Sequence, residues 1–157
     1  MICHPIAPVW DARSEVLILG SFPSVASRAV GFYYGHAQNR FWKLLGLLFK
    51  EEVPEDIAGK KAFLLAHRVA LWDVIASCEV EGSADSAIRN VTPNDIRPLL
   101  AASAVSRIFT NGGKAGALYQ KYIFPVTGRE AVILPSTSPA NAAWRLERLA
   151  DAWRVIL

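Results

Sequence analysis

Four short apolar runs without alternation constrain this chain more than anything else in it: VLILG (Val16 to Gly20), VALWDVI (Val69 to Ile75), RIFTN (Arg107 to Asn111) and AVILP (Ala131 to Pro135). A strand with one wet face alternates apolar and polar side chains, whereas a run that does not alternate belongs to a strand covered on both faces. Each run ends in a polar or turn residue. Between the runs stand segments with helical spacing, namely FWKLLGLLF, TPNDIRPLLAAS, KAGALYQKY and NAAWRLERLADAWRVIL. In the second of these, Thr92 is placed to cap the helix and Pro93 to take its first position. Strand and helix in repetition predict an α/β fold, a three-layer α/β/α sandwich around a four-stranded, mainly parallel sheet with right-handed crossovers. With 157 residues, 52% of them hydrophobic and 20% charged, and with no repeat or low-complexity block, the expectation is one domain over residues 1–157.

The apolar runs are far shorter than the roughly 20 residues needed to cross a bilayer. The start MICHPIAPVWD lacks a basic leader followed by an apolar block, so no signal peptide is expected and the cytoplasm is the default location. Cys3 and Cys78 form no C-x-x-C pair, which argues against a disulfide framework, a zinc ribbon or an iron–sulfur cluster. His4, His36 and His67 are too dispersed to suggest a metal cage. The net charge of +3 permits a polyanionic partner without requiring one.

Ligands of parallel sheets bind beyond the carboxyl ends of the strands. In this chain those positions hold GSFPS, the pair Trp72-Asp73, TNGGK and PSTSPAN. GSFPS lacks the central serine of a nucleophile elbow, GGKAG lacks the spacing and terminal Ser or Thr of a P-loop, and no G-x-G-x-x-G follows the first strand. Triad, triphosphate and dinucleotide chemistry therefore drop out. A further stretch, GFYYGHAQNRFW from Gly31 to Trp42, packs five aromatic rings, a histidine, an asparagine and an arginine into twelve residues.

Taken in order, the G-x-x-P loop GSFPS, the GF-aromatic-aromatic-x-H...NRFW segment and the late loop LPSTSPANA resemble the uracil-DNA glycosylase superfamily, and most of all its hypoxanthine-DNA (deoxyinosine) glycosylase branch. The resemblance spans nearly the whole chain, including AHRVALWDVIASC and FTNGGKA. The GF...H...NRFW piece is also similar to the mismatch-specific uracil-DNA glycosylases. The resemblance implies a monofunctional DNA glycosylase of base excision repair. Such an enzyme flips a deaminated base out of DNA and hydrolyses its N-glycosidic bond, leaving an abasic site, with neither metal nor cofactor. It further implies a monomer whose partner is DNA containing deaminated bases, acting in the cytoplasm at the nucleoid and not at a membrane.

Carried onto this chain, the resemblance makes Tyr34 the aromatic that stacks on the base, with Phe22 closing the opposite side. Asp73 stands where other branches place an asparagine that reads uracil; as an acceptor it suits the N1–H of hypoxanthine, leaving O6 to backbone N–H groups around Ser21 and Phe22. A strand-end cap or an ion-pair partner is the other reading of Asp73. Asn39 matches the asparagine the hypoxanthine branch uses catalytically, either orienting a water or donating to the base; capping of the helix that begins at Phe41 is its structural alternative. Ser136, Thr137, Ser138 and Asn141 are expected to contact phosphate oxygens. Phe41 and Trp42 read as core, and Arg28, Arg40, Lys43 and Lys114 as solvated charges.

Two departures bear on mechanism. Phe22 stands where several branches carry an acid or asparagine that holds the attacking water, and Leu134 stands where others carry a histidine before the Pro-Ser pair. The second counts against efficient uracil removal. No lysine falls in the pocket motifs apart from Lys114, so no lyase step is expected. Three alternatives stay open: a mismatch-specific uracil or xanthine DNA glycosylase, an enzyme acting on a free nucleoside or nucleotide, and a catalytically inactive DNA-binding module.

Overall fold

In the computed structural model, which describes residues 1–79 and 88–157, the four apolar runs form one parallel sheet. After a two-residue strand β1 (Ile2–Cys3), strand β2 (Val16–Gly20) runs through the centre with every residue buried. It pairs in parallel with β3 (Val69–Asp73), setting Gly20 opposite Asp73. The run VALWDVI does not continue as one strand. It turns at Val74 and re-emerges as β4 (Ile75–Glu79), which pairs antiparallel with β1 and with β5 (Arg89–Pro93) in a second, three-stranded sheet. Asn94 fixes the break, because its Nδ2 donates to the carbonyls of Asp73 (2.9 Å) and Ile75 (3.2 Å) on either side of Val74. β6 (Arg107–Asn111) and β7 (Val132–Leu134) complete the parallel sheet in the order β3-β2-β6-β7.

Both faces of the sheet are covered over β2, β3 and β6, whereas on the edge strand β7 Val132 and Ile133 are exposed, so the run AVILP is not covered on both faces, contrary to what its lack of alternation predicts. Val16, Ile18, Val69 and Leu71 point into one cluster, packed under α2 (Phe41–Phe49), α3 (Ile57–Ala66) and α7 (Leu146–Trp153). Leu17, Leu19 and Ala70 point the other way, against α4 (Arg97–Ala102), α5 (Gly113–Leu118) and the second sheet. Each fully buried Leu or Ile contributes about 1.5–3 kcal/mol, so the paired clusters dominate the stabilisation of the sheet. A short α1 (Val25–Val30), capped by Ser24 and ended by Gly31 in the left-handed region at φ 81°, follows β2. A π-helical turn (Tyr119–Ile123) and α6 (Phe124–Thr127) extend α5. Among the described residues no helix is long and apolar enough to cross a membrane.

The helix expected from Thr92 begins later. Thr92 and Pro93 end β5, with Pro93 opposite Ile75. The residue before a proline is driven towards extended backbone, and a β-branched threonine there favours the strand. The helix start falls at Arg97, whose N–H is taken by Asp95 Oδ1 at 3.1 Å, with Pro98 in the first turn. The last helix likewise begins at Leu146 and not in the NAAW stretch, because Asn141 and Trp144 are tied into the preceding loop.

Candidate active site

The carboxyl ends of β2, β3 and β6 and the loop after β7 enclose a cavity of about 550 Å³, within the roughly 300–1,000 Å³ usual for small-ligand sites. Gly20 sits at its base. A Cβ there would fall 2.4 Å from Asp73 Oδ1 and 3.0 Å from the Tyr34 hydroxyl, so the missing side chain is what lets both groups converge on the strand end.

Asp73 is buried, and its Oδ2 lies 2.7 Å from Nε2 of His4, itself with only 4% of its side chain exposed. The N–H of Ile6 donates to His4 Nδ1 at 3.3 Å, which leaves Nε2 to carry the proton that Asp73 accepts. His4 is absent from the sequence-level site. It reaches Asp73 across 69 positions through β1, and no local pattern announces such a contact.

Tyr34 lines the cavity with a backbone held at φ 53°, an uncommon conformation for a residue with a side chain. Its ring stacks on Phe41, centroids 4.1 Å apart, which leaves the opposite face for the cavity. The hydroxyl is buried without a hydrogen-bond partner among the described residues. Burial and the negative charge of Asp73 push its pKa well above the ordinary phenol value, Asn111 drawing weakly the other way. A neutral hydroxyl therefore waits beside a carboxylate. Tyr33 has its hydroxyl donated to the Ala7 carbonyl at 2.9 Å, and Phe41 and Trp42 are buried in the core with Trp42 Nε1 donating to the Tyr33 carbonyl. Phe22 also lines the cavity, its ring meeting His4 edge-on and lying 5.8 Å below the Arg28 guanidinium. Ser21 lines the floor beside it.

Asn39 stands at the mouth of the cavity with its side chain half committed. Oδ1 accepts from the Phe41 N–H (3.0 Å) and from the Thr137 hydroxyl (2.8 Å). Both partners are donors there, which orients the amide and directs Nδ2 to the remaining, cavity side. Arg40, not Asn39, is the N-cap residue of α2, but Asn39 Oδ1 satisfies the N–H of the first helical residue, Phe41, and the amide still has a donor to offer.

The PSTSPAN loop corrects one expectation. Thr137 is fully buried: its N–H and hydroxyl pair with both ends of the Asn111 amide at 3.0 Å, and its carbonyl accepts from Arg40 N–H. It is a clamp and has no face to offer a phosphate. Ser136 and Ser138 are half-buried cavity residues whose hydroxyls accept from the N–H groups of Ser138 and Ala140. Asn141 turns inward, Nδ2 donating to the Ser136 carbonyl at 3.0 Å. Arg40 is likewise no free surface charge: its guanidinium donates to the carbonyls of Ser138, Asn141 and Trp144 and ties the loop to the start of α2. Lys43 and Lys114 are exposed. Among the described residues no group of three or more His, Cys, Asp or Glu stands together to hold a metal ion.

This geometry is an open-mouthed pocket with one acceptor (Asp73 Oδ1), one orphan hydroxyl (Tyr34), one amide donor (Asn39) and an aromatic wall. It suits a flat heterocycle carrying both donors and acceptors on its edge. The sequence model of the uracil DNA glycosylase superfamily matches residues 7–156. A hypoxanthine DNA glycosylase of Methanosarcina acetivorans is 34% identical over 99% of this chain and 98% of its own. One of Methanosarcina barkeri is 33% identical over 85% of each. A solution NMR structure of a candidate uracil DNA glycosylase from M. acetivorans superposes with a TM-score of 0.84 at 35% identity, covering 99% of this chain and 96% of that one.

Proposed function

The chain belongs to the uracil DNA glycosylase superfamily, and from that membership we propose that it removes hypoxanthine from deoxyinosine in DNA. The observation that carries the reading is the single carboxylate oxygen presented beside the Gly20 backbone. Hypoxanthine offers that oxygen its N1–H, with O6 on one flank and a C2–H on the other. Uracil and xanthine place a carbonyl on both flanks of the corresponding N–H, where each is repelled by the carboxylate. Adenine presents an unprotonated N1, a lone pair facing a negative charge. The names of the Methanosarcina relatives support the same substrate.

In this reading the extruded base lies against the exposed face of Tyr34, a contact worth about 1–3 kcal/mol per base. Phe22 closes the other side, and backbone N–H groups near Ser21 and Phe22 meet O6. The C1′–N9 bond breaks with its electron pair moving into the ring, water adds its hydroxyl to C1′, and its proton ends on the base. Asn39 Nδ2 donates to the departing ring, where negative charge grows in the transition state. The amide cannot act as a base or take a proton from water, because Oδ1 is spent on Phe41 and Thr137. Ser136, Ser138 and the loop backbone they shape meet the DNA phosphates, and Asn141 supports them from inside. A cavity lined by residues of this chain supports a monomer on DNA as the working form, with the cytoplasm as its expected location.

The test is base release from single- and double-stranded oligonucleotides carrying deoxyinosine, deoxyuridine or deoxyxanthosine, with metal chelated. Hypoxanthine release leaving an alkali-labile abasic site is expected, with uracil and xanthine slower. Release of none of the three overturns the reading.

A further inference from the structure

We propose that His4 is a positioning residue that guards normal guanine from excision by taking one oxygen of Asp73 out of the cavity. The inference rests on the reading above, in which Asp73 meets the base. A free carboxylate is a two-oxygen acceptor, and guanine is the base best matched to it: its N1–H and 2-amino group lie side by side and pair with both oxygens at once. Hypoxanthine has the N1–H alone. A glycosylase that reads hypoxanthine with an unrestrained aspartate would therefore bind a normal base more tightly than the damaged one.

The structure resolves that conflict. Oδ2 is drawn to His4 Nε2 at 2.7 Å, with both side chains 5% exposed or less. Oδ2 is occupied by His4, which is not among the residues lining the cavity, while Oδ1 lies against Gly20 and beside the Tyr34 hydroxyl. The imidazole is itself held. Ile6 N–H occupies Nδ1, Phe22 meets the ring edge-on at 5.9 Å and Tyr33 packs at 6.0 Å. With His4 in place, guanine keeps one hydrogen bond to the carboxylate, and its 2-amino group finds no second carboxylate oxygen, only the weaker acceptor of the neutral Tyr34 hydroxyl. Hypoxanthine, with C2–H there, loses nothing.

Two substitutions separate this from a purely structural role. His4→Leu removes the donor and frees the carboxylate, whereas His4→Gln retains an N–H at the distance of Nε2. The readout is the ratio of hypoxanthine to guanine recognition, measured as inhibition of base release by the two free bases and as release from deoxyinosine against deoxyguanosine oligonucleotides. The wild-type ratio is expected to fall at least about tenfold in His4→Leu, the scale of one charge-assisted hydrogen bond. It is expected to return in His4→Gln and to be indifferent to His4 in an Asp73→Asn background. Should His4→Leu fail to fold, His4→Asn, polar but too short to reach Oδ2, carries the same expectation. An unchanged ratio in a folded His4→Leu or His4→Asn protein that still releases hypoxanthine overturns this inference and leaves the proposed function standing. A wild type that releases no base overturns both.

Discussion

The hydroxyl of Thr137 donates to Oδ1 of Asn39 across 2.8 Å, joining a loop after β7 to the turn that leads into α2, 98 positions earlier in the chain. Asn111 holds the same threonine from β6, so two strand ends and a helix start are locked through one buried side chain. The amide that faces the cavity is oriented by this network, and the consequence is measurable at Asn39 itself.

Asn39→Asp keeps the oxygen that Phe41 N–H and Thr137 bond but replaces the Nδ2 donor with a second anionic oxygen. Base release is expected to fall by roughly 10²–10³-fold, the cost of losing one preorganised donor to developing charge. The thermal midpoint should move far less than in Asn39→Ala, which also loses the bonds to Phe41 N–H and the Thr137 hydroxyl, each worth about 0.5–1.5 kcal/mol. Single-turnover rates set beside melting curves for the two variants decide it; equal activity in wild type and Asn39→Asp would remove the donor role.

Gly20→Ala places a methyl group 2.4 Å from Asp73 Oδ1 in a strand flanked by two others. The carboxylate must swing away or the strands must part, and overpacking of this kind costs about 1–3 kcal/mol. Base release is expected to be lost at temperatures where circular dichroism still reports a folded protein.

Tyr34→Phe deletes a buried hydroxyl that has no partner among the described residues. Stability near neutral pH should be unchanged or rise by up to about 1 kcal/mol, since an unsatisfied group is removed, while the affinity for the base falls. The alkaline limb should change as well. The pKa values of Tyr33 and Tyr34 are both raised in the folded protein, chiefly by burial and next by Asp73. Above the ordinary phenol value of about 10 the unfolded chain gives up protons that the folded one keeps, so stability is lost as pH rises past that point. Tyr34→Phe should flatten that loss, which urea midpoints between about pH 9 and 11 would record.

Arg40→Ala removes three guanidinium contacts to loop carbonyls, the work to which the side chain is committed. Affinity for an abasic duplex is expected to drop while the dependence of log affinity on log salt keeps its slope, because no released counterion is lost. A slope shallower by about one unit would instead make Arg40 a phosphate ligand.

What the amino-acid sequence settles alone is set by chemistry within a few residues' reach. Val16 to Gly20 must lie between two covered faces because no position in the run is polar, and Phe41 to Phe49 must be helical because its apolar spacing suits nothing else. The loops that form the site lie at strand ends for the same reason. The helix expected from Thr92 begins about one turn later, because a proline that starts helices also ends strands and only the pairing of β5 with β4 chooses between them. Thr137 reads as an exposed hydroxyl in a polar loop; its burial depends on Asn39 and Asn111 arriving from elsewhere. His4 and Asp73 are the clearest case, since a charge-assisted hydrogen bond of 2.7 Å between residues 69 apart exists only after β1 has paired with β4. Local sterics and hydrophobic spacing made the scaffold legible, whereas the direction of each functional atom depends on long-range packing, which gives no signal until the strands meet.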